Sequence, residues 1–172
     1  MNRNLVNFAG FQAAWWATIL SAGAGRPLLA ASASAAALAL HLALFDRSAA
    51  ERRVVFAATA VGAVVETANA LLGFTRFDPA PFGLPVPPAW MVLQWAVFGA
   101  VLRHSLGWIR GRFLLAALLG AVVAPPSYLG GERLGALALG GTPALVAVGV
   151  EYALAMPLLL LVERRASRDG EP

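Results

Sequence analysis

Few residues in this chain could do chemistry. There is no cysteine and there are only two histidines, His41 and His104, so thiolate catalysis and cysteine-ligated metals are excluded. What remains is a small set of polar side chains inside long apolar runs: Glu66, Glu151, His41, Asn69 and Gln94. An ionisable group at the centre of a membrane helix costs about 2.5–3.5 kcal/mol on insertion scales, so each one needs a reason. At about 1.5 Å per helical residue, Glu66 and Gln94 lie ~18 Å, and Glu151 ~16 Å, from the arginine-flanked ends of their helices. That is one level, near a bilayer midplane. Asn69 follows Glu66 at i+3 and shares its face. The pattern fits a midplane polar pocket in which Glu66 and Glu151 are the catalytic acid/base candidates, one or both carrying a proton, while Asn69 and Gln94 bind substrate. The plainer reading is interhelical hydrogen bonding, worth about 0.6 kcal/mol per bond.

Second-rank binding candidates follow from position. Ser127 and Tyr128 come after the Pro125-Pro126 pair, which is expected to break its helix, and broken helices at membrane depth line cavities. Trp95, four residues after Met91, is a candidate for the pocket wall, with core packing as the plainer reading. His41, ~6 Å from its helix end, is placed nearer the interface. His104 belongs to a loop, at headgroup level. Two histidines at different depths, without cysteine, offer no zinc or haem site, and no metal or cofactor is expected. No nucleotide loop, Ser-His-Asp arrangement or HExxH helix is present.

The elements that must position these groups are membrane helices. Of 172 residues, 59% are hydrophobic and only 13% charged, and the mean hydropathy is +0.71. A soluble domain has about half and a quarter. Six apolar segments approach the ~20 residues needed to span a bilayer: 5–23, 27–45, 54–73, 89–106, 113–129 and 142–162. They leave little chain for any soluble domain, and their continuous Ala/Leu-rich runs argue against a barrel. The expected fold is one all-α integral membrane domain, 1–172, a six-helix bundle whose fifth helix breaks at Pro125-Pro126. The proline-rich stretch 78–88 reads as an external loop, and 130–141 as a short re-entrant or interfacial piece. All thirteen basic residues are arginines. Ten fall on the side of the two termini and three on the other, which places both termini in the cytoplasm. Ala33-Ser34-Ala35 resembles a signal-cleavage site, but it lies inside the second segment behind a poor n-region, so retention is expected.

Particular stretches resemble a known family: Pro88-Ala89-Trp90, Leu93-Gln94-Trp95-Ala96-Val97-Phe98, Leu102-Arg103-His104-Ser105-Leu106-Gly107-Trp108, and Pro125-Pro126-Ser127-Tyr128 leading to Gly131-Glu132-Arg133-Leu134-Gly135-Ala136. Asn7, Gln12, Trp15 and His41-Leu42 extend the likeness to the first two helices. The family is a bacterial inner-membrane domain of unknown function, number 2878. The resemblance implies a multi-pass helical fold in a bacterial inner membrane and brings no activity with it. Where the family pattern has an aspartate four residues after a glycine in the third helix, this chain has Gly62 and Glu66, so a carboxyl survives. Its Gly-Pro-Leu in the fifth helix is Ala124-Pro125-Pro126 here.

Three functions remain open on these residues. One is a binder or modifier of a lipophilic molecule in the midplane pocket, the preferred reading; whether it is an enzyme stays open. The second is a proton-coupled carrier or the membrane subunit of a transporter. The third is a non-catalytic subunit of a membrane complex. Ala31, Ala35, Ala39 and Ala43 form a small-residue face suited to close helix contact, within the chain or with a second membrane subunit or copy. Membrane lipids are expected partners. Nucleic acid is not, because the arginines are scattered between apolar runs rather than gathered on one face.

Overall fold

The computed structural model describes residues 2–168. Six α-helices follow one another: α1 (Arg3–Gly23), α2 (Pro27–Leu44), α3 (Ala49–Leu71), α4 (Ala89–Leu102), α5 (Phe113–Arg133) and α6 (Thr142–Arg168). Two short strands, β1 (Thr75–Arg76) and β2 (Ala138–Leu139), pair antiparallel across two loops at one end of the bundle. Local chemistry explains the boundaries. Asn2 caps α1, its side chain accepting the Asn4 N–H at 3.0 Å. Ser48 does the same for α3, accepting the Glu51 N–H at 3.1 Å in a Ser-x-x-Glu capping arrangement. Gly25, at φ +70°, reverses the chain after α1, where a side chain would be strained. Pro27 then opens α2 at a position with no N–H to lose.

Packing is centred on α4. Ten of its residues are buried, among them Trp90, Gln94 and Trp95. Helices α1, α2 and α3 lie against it, α6 lies against α3, and α5 against α6. Glycine makes these approaches close. A Cβ at Gly62 of α3 would collide with the Trp95 ring, and one at Gly120 of α5 with the Tyr152 carbonyl. One at Gly99 of α4 would lie 2.8 Å from the Ala58 Cβ. Outside, the bundle is apolar: Leu28, Phe56 and Leu114 are 84%, 75% and 76% exposed. Inside, Glu51, Glu66 and Glu163 are fully buried. That inversion of the soluble-protein pattern agrees with the four helices, α2, α3, α5 and α6, that are long and apolar enough to cross a membrane.

Three expectations need correction. The fifth helix is not broken: α5 runs unbroken from Phe113 to Arg133 with Pro125 and Pro126 inside it. Each proline forfeits one backbone hydrogen bond, but neighbouring helices can compensate in a membrane bundle. The freed Ala121 carbonyl faces Gly149 of α6, where a Cβ would lie 3.3 Å from it. Secondly, no re-entrant piece fills 130–141; α5 takes its first four residues and β2 two more. Thirdly, α4 stops at Leu102 rather than 106. Fourteen residues extend about 21 Å, short of a full span. Its burial behind other helices removes the need to match the hydrocarbon thickness.

Candidate functional site

Glu66 occupies the polar centre of the bundle. Its Oε1 accepts the Trp95 indole N–H at 2.9 Å and the Tyr128 hydroxyl. Three helices are thereby tied to one oxygen: α3 supplies the carboxyl, α4 the indole and α5 the phenol. The Tyr152 hydroxyl of α6 stands 3.5 Å from that of Tyr128, and its ring packs against Trp95 at a tilt of 34° with centroids 4.7 Å apart. Because Tyr128 gives its proton to Glu66, a bond between the phenols runs from Tyr152 to Tyr128, leaving the Tyr152 oxygen free to accept. Glu66 Oε2 is buried and has no partner among the described residues. Beside this chain, Asn69 donates to Glu151 Oε2 at 2.9 Å.

The aromatic members of the chain form a wall. On its other side a cavity of about 420 Å³ lies between α1 and α5, bounded by Trp95, Tyr128 and Tyr152 together with Trp15, Phe98 and Met156. At the β1–β2 end α1 and α5 converge, since a Cβ on Gly23 would strike the Leu134 backbone. Toward the termini the walls include Phe8 and Leu119, and the cavity becomes a groove facing the apolar surface. Gln12, Gln94 and Ser127 are the other polar groups on its walls. Apart from these groups the lining is apolar, and the volume falls within the range of small-molecule pockets.

A second polar cluster ties the helix ends nearer the termini. His41 and His104 are not at different depths: their rings meet edge to face with centroids 5.3 Å apart. His41 Nε2 donates to Glu51 Oε1 at 2.7 Å. Arg103 Nη1 donates to Asp46 at 2.9 Å and to Glu51 at 3.2 Å, while Arg110 Nη2 pairs with Glu163 at 2.8 Å. His41, Glu51 and His104 form a grouping dense enough to hold a metal ion, but the hydrogen bonds do not fit that role. Asn7 Oδ1 accepts from the Ser105 N–H and hydroxyl, and its Nδ2 donates to the Ala100 carbonyl at 3.2 Å. The amide orientation is therefore fixed, and Nδ2 also faces His41 Nδ1 at 3.3 Å. His41 must accept there and carry its proton on Nε2, so it has no lone pair for a cation. Arg103 already supplies the positive charge that the carboxylates face.

Asp46, in the loop before α3, makes this cluster pH-sensitive. Burial works against its charge, but hydrogen bonds from Ser48 and then the charges of Arg103 and His104 outweigh it, holding the carboxyl below its ordinary range. A carboxyl depressed in the folded state stabilises above the unfolded pKa, about 3.9, and the contribution disappears as pH falls through the folded value. Melting temperatures of wild type and Asp46→Asn should thus differ at pH 7 and converge on acidification below about pH 4. A gap that widens toward acid would contradict this assignment.

The structure brings together Glu66, Trp95 and Tyr128 directly, places Gln94 and Ser127 on the groove, and joins Asn69 to Glu151. Glu66 and Glu151 do not hydrogen-bond one another. His41 belongs to the other cluster, away from the groove. Sequence reasoning missed Tyr152, whose place beside Glu151 drew no notice, and also Glu51, Asp46 and Glu163. For Glu51 a signal existed: the Ser48-to-Glu51 spacing marks a helix start and places that carboxyl in its first turn.

An apolar exterior around buried carboxylates, with helices long enough to cross a bilayer, defines a membrane-embedded helical protein with a polar interior. The chain belongs to the family described as protein of unknown function (DUF2878), whose model matches residues 4–158. No curated protein and no solved structure gives a match.

Proposed function

We propose that this protein binds a lipophilic molecule in the groove between α1 and α5, and that the Tyr152–Tyr128–Glu66 chain receives or delivers a proton there. The observation that carries this reading is the hydrogen-bonded chain itself, which begins in the groove wall and ends on a fully buried carboxyl. A polar chain of this kind is expensive in hydrocarbon, and a functional group is the default explanation for it. Val123 sits at the groove mouth and is 58% exposed, so a larger side chain fits there without repacking the bundle. Wild type extracted gently from its membrane should carry a specific lipophile by mass spectrometry of the extract, and Val123→Trp should lose most of it. Equal amounts of the same lipids on both would overturn the reading.

The same reading has all six helices crossing a bacterial inner membrane, with both termini and the Asp46–Arg103 cluster in the cytoplasm; ten of the thirteen arginines support it. The chain has no cysteine, so single cysteines report topology cleanly. In spheroplasts a membrane-impermeant maleimide should label a cysteine replacing Phe82, which is 95% exposed in the loop before α4, and not one replacing Asn2. Labelling of Asn2 with protection of Phe82 would reverse the orientation.

A non-catalytic subunit is the second reading, favoured by one observation. Ala35, Ala39 and Ala43 are exposed and only Ala31 is half-buried, so the alanine face is left free for another membrane helix or a second copy. The seam that α2 uses within the chain is instead Ala30, Ser34 and His41.

A further inference from the structure

Gln94 is the polar member of an otherwise apolar stripe on α4, Met91, Gln94, Trp95, Phe98 and Val101, that lines the groove. The indole N–H of Trp95 is already given to Glu66. Gln94 is only 9% exposed, and both atoms of its amide, Nε2 and Oε1, are buried without a hydrogen-bond partner among the described residues. A buried amide that donates and accepts nothing is unusual and calls for a partner. Gln94 is also one of the residues that line the cavity, and a partner for its amide is sought there.

We propose that Gln94 recognises the neutral donor–acceptor group of an elongated lipophile, a hydroxyl or an undissociated carboxyl, bound in the groove. The proposal rests on the groove-binding reading above and deepens it. An amide offers N–H donors and a carbonyl acceptor side by side. A hydroxyl can accept from Nε2 and donate to Oε1, and an undissociated carboxyl can do both at once in a closed two-bond pair. An ether or ester supplies acceptors alone and leaves Oε1 unpaired; a hydrocarbon leaves both atoms unpaired. A carboxylate anion also lacks the donor, and no arginine lines the cavity to neutralise it. The ligand group is therefore neutral and carries a proton of its own.

The test uses the full chain, delipidated and reconstituted in nanodiscs, with probes of one chain length: hexadecan-1-ol and hexadecanoic acid against 1-methoxyhexadecane and methyl hexadecanoate. Wild type should bind at least one of the first pair roughly tenfold more tightly than its methylated counterpart, the worth of one well-made hydrogen bond. Gln94→Leu and Gln94→Met, both apolar replacements in an apolar stripe, should abolish that preference while still binding the methylated probes. A wild type without preference, or variants that keep it, would overturn the role of Gln94 and leave the groove reading standing. If wild type binds none of the probes, the groove reading itself fails.

Discussion

Glu66→Leu should destabilise the protein by about 2–5 kcal/mol, because it leaves the Trp95 N–H buried without an acceptor, at about 1–3 kcal/mol, and takes from the Tyr128 hydroxyl its close acceptor, leaving only the Tyr152 oxygen at 3.5 Å. For a chain of this size, each kcal/mol lowers the melting temperature by roughly 2–4 °C. Removing the other partner as well should give stability back. Glu66→Leu with Tyr128→Phe is expected to cost less than the sum of the two single changes, since the second removes the donor that the first deprives of its close acceptor. Glu66→Gln keeps a carbonyl for both donors but cannot exchange a proton, so it should fold nearly as well as wild type and lose any proton-dependent activity. Thermal unfolding in detergent measures all four variants. Strictly additive losses would mean that Glu66 and Tyr128 do not form the bond that centres the bundle.

Gly62→Ala is the other change with a large expected effect. The added methyl would fall within the Trp95 ring, which is pinned on one side by its bond to Glu66 and on another by Tyr152. The indole cannot turn aside without breaking that bond, so α3 and α4 must separate. Overpacking of this kind costs about 1–3 kcal/mol or more. Gly10→Ala is the matched control. A Cβ at Gly10 meets nothing within 4 Å, and alanine should gain up to about 1 kcal/mol in the helix interior. Opposite shifts in melting temperature are therefore expected from the same chemical change on two helices. If both variants were stabilised, the close packing of α3 on α4 would be wrong.

Helices and their order were legible in the sequence because apolar runs, capping residues and prolines are local signals. Glu66 was legible too, since a carboxyl in an apolar run is conspicuous by its cost. Its partners were harder to find. Tyr128 is 62 residues away and was singled out for the wrong reason, a helix break that does not occur. The proline pair misled because a local count registers two lost hydrogen bonds and not the close approach of Gly149 of α6 beside them. The histidines misled through a similar error. Counting from helix ends assumes that the ends are level, whereas α4 stops early and the following turn folds His104 back against His41 and Phe45. Long-range pairing, which sets both clusters, leaves no mark on spacing.

The most direct measurement is native mass spectrometry of the wild-type protein released gently from its own membrane. A lipophile-binding groove predicts one chain carrying a single discrete added mass, matching a neutral long-chain molecule and lost from Val123→Trp. A chain with no small molecule, held in a larger assembly with another protein, would contradict it and make the buried carboxyl a structural fastening.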